Sequence, residues 1–501
     1  MALSAVLYGL PFPPQSWHVV AWFALVPFLF AVRSCSSRMA VIVAVGFAAW
    51  GAYSTAEALP GAISGYYEQP RLLGLAFFAA LATLTTSTSM IPFAYCYRQF
   101  LKLDVRARPL LVGAAWVAYE LVRARLLGNP WAALGYSQLD VGPLVQIADT
   151  TSVYGVSFLI AAANAAIVEV LAALLQGTDA APRRAAASGA AVVLMLVAAD
   201  LVYGFVRLAE QGAVAEDADL DVVAVQGNID LGYQWRDEYY GENLEVHLHL
   251  TADALRERPA ALVVWPENAM TFFIEKEPLY RLAIGAVLYD SSAELIAGGP
   301  RSPADAQGGY YNSAILLSPD GEVAGHYDKE QLLPFAEYFP LAHFDMLRRN
   351  FGRVREFTHG TDIAPLEASF GDVGVVICNE SLFSGIVARR VSQGARLLVN
   401  LTNDGWLADP GLSGVAFAMT RLRAIEQRRY LVRASTSGPS AVVDPFGRVF
   451  DRTHELSRGI SRATVGLSTV RTPYARAGDA FAFVCLLVIC AGLVRARRRC
   501  P

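Results

Sequence analysis

The chain has 501 residues, of which 54% are hydrophobic and only 17% charged. With a mean hydropathy of +0.36 it is too apolar for an ordinary soluble protein of this size, so membrane spans are expected. A net charge of −4 offers no basic footprint for nucleic acid. With neither a Walker-type loop nor a dinucleotide glycine fingerprint present, nucleotide-driven chemistry of those kinds is excluded.

The first stretch, MALSAVLYGLPFPP, is apolar but breaks at Pro11, Pro13 and Pro14, which predicts a short or re-entrant first helix. Apolar runs approaching bilayer thickness follow at about 17–33, 39–58, 72–98, 110–125, 153–175, 186–207 and 480–494. Basic residues cluster at Arg33 and Arg38, at Arg98, Lys102, Arg106 and Arg108, at Arg183 and Arg184, and at Arg495 to Arg499. If successive spans alternate direction, all four clusters share one side, which the positive-inside rule makes cytoplasmic. Three regions result: a helix bundle over 1–207, an exterior domain over 208–479, and a last span with a basic tail over 480–501. In a two-membrane bacterium the exterior domain faces the periplasm. Intramembrane acids such as Glu120, Glu169 and Asp200 are few, and polar packing explains them more simply than an ion path.

The middle region has soluble composition. Strands are predicted at 219–229, 261–268, 294–299, 312–321, 372–380, 395–404, 430–435 and 440–447. Helices are predicted at 236–257, 278–291, 383–393 and 414–428. This alternation predicts an α/β domain with helices covering a sheet, and the DG and PFG stretches mark hairpins. Of six cysteines only Cys378 falls in this region. A lone thiol facing an oxidising compartment is either an inert core residue or a reactive group.

Three strand ends carry reactive side chains. ALVVW leads into Glu267, the hairpin after NSAILL leads through GHYDK to Lys329, and GVVI leads into Cys378. Brought together, such a trio supports acyl transfer through a thioester: Glu267 moves protons, Cys378 attacks, and Lys329 with the backbone N–H after Cys378 faces the oxyanion. Lysine occurs only at 102, 276 and 329 in this arginine-rich chain, which points to a compact ammonium being kept at 329. Glu337 in LLPFAEYFP is placed to pair with Lys329. Glu380 shares the face of Cys378 if the backbone stays extended there. The histidines form no metal set, since His247 and His249 point to different faces of a helix. RLRAIEQRR (421–429) reads as a solvated basic face, with a phosphate-headgroup contact as the sharper alternative.

WPEN (265–268), YDKEQLLPFAEYFP (327–340), ICNE (377–380) and LTNDGW (401–406) resemble elements of the nitrilase superfamily. NPWAALGYSQ (129–138), VYGVSFLIAAANAA (153–166) and VQGNI (225–229) narrow the resemblance to its membrane-bound branch, the apolipoprotein N-acyltransferases. That resemblance implies a nitrilase-like α-β-β-α sandwich beside a polytopic membrane bundle of eight helices. It implies Glu267 as general base, Lys329 as oxyanion stabiliser and Cys378 as nucleophile, with Glu337 and Glu380 in support and Trp235 near the entrance. The implied reaction moves an acyl chain from a phosphatidylethanolamine-like phospholipid to the α-amine of an S-diacylglyceryl cysteine on an apolipoprotein. A monomer in the bacterial inner membrane, with no cofactor, no metal and no nucleic-acid partner, is expected. Asn379 departs from the tyrosine usual in the nucleophile motif, as does LADPGLSGVAFAM (407–419) from the aromatic stretch usual after NDGW. The competing readings are a membrane-tethered amidase, in which water resolves the thioester, and a non-catalytic lipid or lipoprotein carrier.

Overall fold

The computed structural model describes residues 1–175, 180–210, 216–229, 236–302, 309–340, 356–407 and 409–498. The chain divides into two compact units. One comprises Met1–Ser64, Pro70–Gln211 and Arg476–Pro501, the other Gly65–Gln69 and Gly212–Ala475.

The first unit is helical. Among the described residues five of its helices are long and apolar enough to cross a membrane: Ser37–Ser54, Arg71–Phe100, Val153–Leu175, Ala180–Ala209 and Ala480–Arg498. The 17–33 run is a broken element, a 3-10 turn over His18–Val20 followed by short helices Ala21–Ala24 and Val26–Ser34, with Pro27 at the start of the latter. The N-terminal helix spans only Ala2–Gly9. Glu169 is buried between two arginines, 2.6 Å from Arg33 and 3.0 Å from Arg108, so this intramembrane acid is satisfied by packing.

The second unit is a sandwich of two six-stranded sheets. Its strands are β1 (Glu216–Gln226), β2 (Leu262–Val264), β3 (Glu294–Arg301), β4 (Tyr311–Leu317), β5 (Val323–Asp328), β6 (Leu366–Ala368), β7 (Gly371–Ile377), β8 (Leu397–Thr402), β9 (Leu431–Ser435), β10 (Ala441–Val443), β11 (Val449–Arg452) and β12 (Gly459–Leu467). The sheets run β12-β1-β2-β3-β4-β5 and β11-β10-β9-β8-β7-β6. Both have a parallel centre, β1-β2-β3 and β7-β8-β9.

The two-residue period of the strands builds three layers of core. Val222 and Ala224 of β1, Leu262 and Val264 of β2, and Val373, Val375 and Ile377 of β7 pack between the sheets. The alternate residues Val223, Val225 and Val263 face helices Tyr240–Glu257 and Pro278–Leu288. Val376 and Leu398 likewise face helices Ser384–Ser392 and Pro410–Gln427. The result is the expected α-β-β-α sandwich. Gly321 (φ +82°) turns the β4–β5 hairpin and Gly447 (φ +84°) the β10–β11 hairpin, the left-handed positions that the DG and PFG stretches signalled.

Two expectations are corrected here. RLRAIEQRR is no solvated face: Arg423 and Arg428 are fully buried, Arg429 is 3% exposed, and Glu426 and Gln427 are buried with them. Arg428 donates to Pro445 O (3.1 Å) and lies over the Phe446 ring, and Arg423 pairs with Glu426 (3.1 Å), so neighbouring chain has replaced water around these guanidiniums. The backbone also does not stay extended to Glu380. It enters a 3-10 turn at Cys378–Leu382, which tucks Glu380 beneath the strand end.

Candidate active site

Glu267, Lys329 and Cys378 each sit just beyond the end of a strand, where a rigid sheet can aim a side chain. β2 ends at Val264. Trp265 N donates to Ile296 O (2.9 Å) and the indole Nε1 to Thr251 Oγ1 (2.9 Å), which anchors the chain before Glu267. Gly298 makes room for this loop, because a Cβ there would come within 2.6 Å of Glu267 Cα and Pro266 O. Lys329 follows β5 directly, its N–H donating to Asn312 O on β4 (2.9 Å).

Cys378 follows β7 with φ +52°, in the left-handed region. A non-glycine residue held there is strained, and such strain concentrates at functional sites because only the surrounding contacts maintain it. Glu380 supplies them. One of its oxygens accepts from Ile377 N (2.7 Å), the other from Tyr327 OH (2.8 Å), Glu330 N (2.8 Å) and Gln331 N (3.0 Å). Fully buried, this carboxyl ties the turn carrying Cys378 to the loop carrying Lys329.

At the centre, Lys329 is 1% exposed. Its Nζ lies 3.3 Å from Glu267 Oε1 and 2.9 Å from the Glu337 carboxylate. Asn312 Nδ2 bridges the same two acids, at 2.7 Å from Glu267 Oε1 and 2.7 Å from Glu337 Oε1. Asn403 N donates to Glu267 Oε2 (3.0 Å) and Leu333 N to Glu337 Oε2 (2.7 Å). Burial works against the Lys329 ammonium, but the charges of Glu267 and Glu337 outweigh it and hold the group well above the ordinary lysine value.

Around Cys378 the balance is the reverse. Desolvation and then the charge of Glu267 push its thiol well above the usual range, with Lys329 pulling the other way. The resting group is therefore a thiol, and a nucleophile of this kind needs a base at the moment of attack. Burial likewise raises Glu380, against the Ile377 N–H and the Lys329 charge.

Trp235 lies outside the described residues. His247 is buried against Trp265 (5.3 Å between centroids), its Nδ1 next to Asn243 O (2.9 Å), and burial lowers it to about 4. His249 lies on the exposed side beside Glu245 (3.2 Å). Among the described residues no group of three or more His, Cys, Asp or Glu is arranged to hold a metal ion. Reading the sequence missed Asn312, whose signal is one amide in the apolar strand YNSAILL, and the Asn403 N–H that fixes Glu267.

The carbon-nitrogen hydrolase family model matches residues 221–473, and the apolipoprotein N-acyltransferase N-terminal domain matches residues 4–166. An apolipoprotein N-acyltransferase of Geobacter metallireducens is 33% identical, over 97% of this chain and 92% of its own. The chain belongs to the apolipoprotein N-acyltransferase family. Another relative of that name, from Azotobacter vinelandii, is 30% identical over 89% of this chain and 82% of its own. Among solved structures, an amidase from Nesterenkonia sp. aligns with 55% of this chain and 98% of its own, at 19% identity and a TM-score of 0.39.

Proposed function

We propose that this protein is an acyltransferase that moves an acyl chain from a membrane phospholipid, through a thioester on Cys378, to the α-amine of the S-diacylglyceryl cysteine beginning an apolipoprotein. The observation that carries the reading is a strained, protonated thiol beside the buried Glu267–Lys329–Glu337 cluster, in a chain whose family membership spans both units.

In the first half-reaction Glu267 takes the Cys378 proton as sulfur attacks the donor ester carbonyl. The Lys329 ammonium and the Asn379 backbone N–H stabilise the oxyanion, each a donor of the kind that contributes a few kcal/mol of barrier reduction. The intermediate collapses, the C–O bond breaks, and Glu267 returns the proton to the departing lysophospholipid. In the second half the acceptor amine attacks the thioester, gives a proton to Glu267, and the C–S bond breaks as Cys378 regains that proton. Ester to thioester to amide runs downhill overall, so the exchange needs no nucleotide. Glu337 and Asn312 act as positioning residues, holding Lys329 and Glu267 in register. Glu380 sets the Cys378 turn.

The proposal includes a bilayer location, which removes the cost of about 0.8 kcal/mol per methylene of drawing an acyl chain into water. It also includes a bacterial cytoplasmic membrane with the sandwich on the periplasmic side, which the positive-inside rule supports where successive spans alternate and so bring the four basic clusters to one side, a phosphatidylethanolamine-like donor, and action as a monomer. Intact-protein mass spectrometry tests it. Incubation with phospholipid should add an acyl mass that is missing in Cys378→Ala, and a diacylglyceryl-cysteine peptide should then remove the adduct as it gains an amide. Release as free fatty acid would show hydrolysis instead, and absence of any adduct would leave a carrier.

A further inference from the structure

Arg429, the last residue of RLRAIEQRR, behaves differently from its buried neighbours. Its Nε donates to Ala395 O (3.0 Å), and its Nη1 to Ser468 Oγ (3.2 Å) and Val470 O (2.6 Å), with Gln427 O (3.0 Å) and Arg428 O (3.2 Å) completing the set. Every one of these acceptors is neutral. The same short segment is fastened to Arg396, whose carbonyl accepts from Ser468 N (3.1 Å) and whose N–H donates to Asp372 O (2.8 Å). Arg396 is half-buried, and its Nε is buried with no hydrogen-bond partner. Arg471, next along from Val470, is exposed.

Three guanidiniums are thus gathered at one corner of the sandwich by the 468–471 segment. Among the described residues none of the three has an ion-pair partner. Asp372 meets Arg396 through its backbone carbonyl, and Glu426 is taken by Arg423 (3.1 Å). Arg429 feels the other two: burial, and then the charges of Arg471 and Arg396, pull it down to about 10. Like charges held together without a counter-ion repel, and folding would not favour the arrangement unless an anion offset it.

We propose that Arg396, Arg429 and Arg471 form an anion site for the phosphate of a membrane lipid headgroup. Arg429 is the fixed floor, the Arg396 Nε the unfilled donor, and Arg471 the accessible rim. Forked guanidinium donors match phosphate oxygens in number and direction. The lipid source follows from the chain itself, since Arg471 lies nine positions before Ala480, where the last apolar helix begins. Basic residues next to a span are drawn to phosphate headgroups. The site is separate from Cys378, and its test does not depend on acyl transfer.

Native mass spectrometry of the full-length protein in detergent tests it, with phosphatidylglycerol, diacylglycerol and inorganic phosphate as separate probes. The wild-type chain should retain phosphatidylglycerol and not diacylglycerol, and Arg396→Gln and Arg471→Gln should each weaken retention by about fivefold. Arg471→Lys, which keeps the charge, should recover most of it. Arg471→Gln alters an exposed side chain and decides the matter alone should Arg396→Gln fail to fold. Equal retention by the wild type and Arg471→Gln, or diacylglycerol held as well as phosphatidylglycerol, would overturn the site. Inorganic phosphate bound as tightly as phosphatidylglycerol would overturn its assignment to lipid.

Discussion

Replacing Lys329 by methionine keeps the length of the side chain and removes its charge. The lysine side chain is 1% exposed and its Nζ sits 3.3 Å from Glu267 and 2.9 Å from Glu337, so the change strands two buried carboxylates with one amide donor and two backbone N–H groups between them. Breaking a buried ion pair from one side costs about 3–5 kcal/mol of stability. Loss of an oxyanion donor costs roughly 100- to 1,000-fold in rate. The two effects separate by pH. Stranded carboxylates have folded-state pKa values above their unfolded ones, so the folded state binds more protons and stability falls as pH rises through the carboxylate range. Lys329→Met should therefore be nearest to wild type in acid and fall away towards neutrality. Adding Glu337→Gln removes one stranded charge and should recover part of the stability while leaving acylation lost. Denaturant unfolding across pH, with thioester formation read by intact mass, checks both. Acylation within tenfold of wild type, or a stability loss indifferent to pH, would refute the reasoning.

Asn312→Leu takes the shared donor from both carboxylates, at about 1–3 kcal/mol, and should slow acylation more than it weakens phospholipid binding. Asn312→Asp adds a third acid to the cluster and should be worse, and comparing the two for KM and kcat tests the bridge. The raised Cys378 thiol predicts iodoacetamide alkylation that is slow at neutral pH and still accelerating beyond about pH 8.5, the ordinary thiol value; a plateau below that would contradict it. Because Cys378 is left-handed, Cys378→Gly should be more stable than Cys378→Ala by about 1 kcal/mol, measured as a difference in denaturant midpoint, while neither forms an adduct. Glu380→Gln places an amide donor against backbone donors and should cost about 1–3 kcal/mol, with slower acylation as the Cys378 turn loosens.

Much of this was legible in the residues. The central strands are Val- and Leu-rich because they are buried on both faces, so β1 to β4 and β7 to β10 stood out. Those missed, β6, β11 and β12, with β5 seen only as the far arm of a hairpin, are the four edges of the two sheets. An edge strand pairs on one side and exposes more of its face, so its hydrophobic pattern fades; β11 is largely exposed. Likewise the arginines of 421–429 could not declare themselves buried, because the carbonyls that receive them come from residues 395, 445 and 470.

Local chemistry determined which groups were available: a thiol, a carboxylate and a rare lysine at strand ends, and apolar runs of bilayer length. The pairing of Glu337 with Lys329 was expected from the sequence, but only the tertiary structure decided that Asn312 bridges Glu337 to Glu267, that Glu380 lies under the Cys378 turn rather than beside the thiol, and that Cys378 is left-handed. These depend on pairing Lys329 with Asn312 across β4 and β5 and on stacking two sheets, contacts between residues far apart in the chain that periodicity cannot encode.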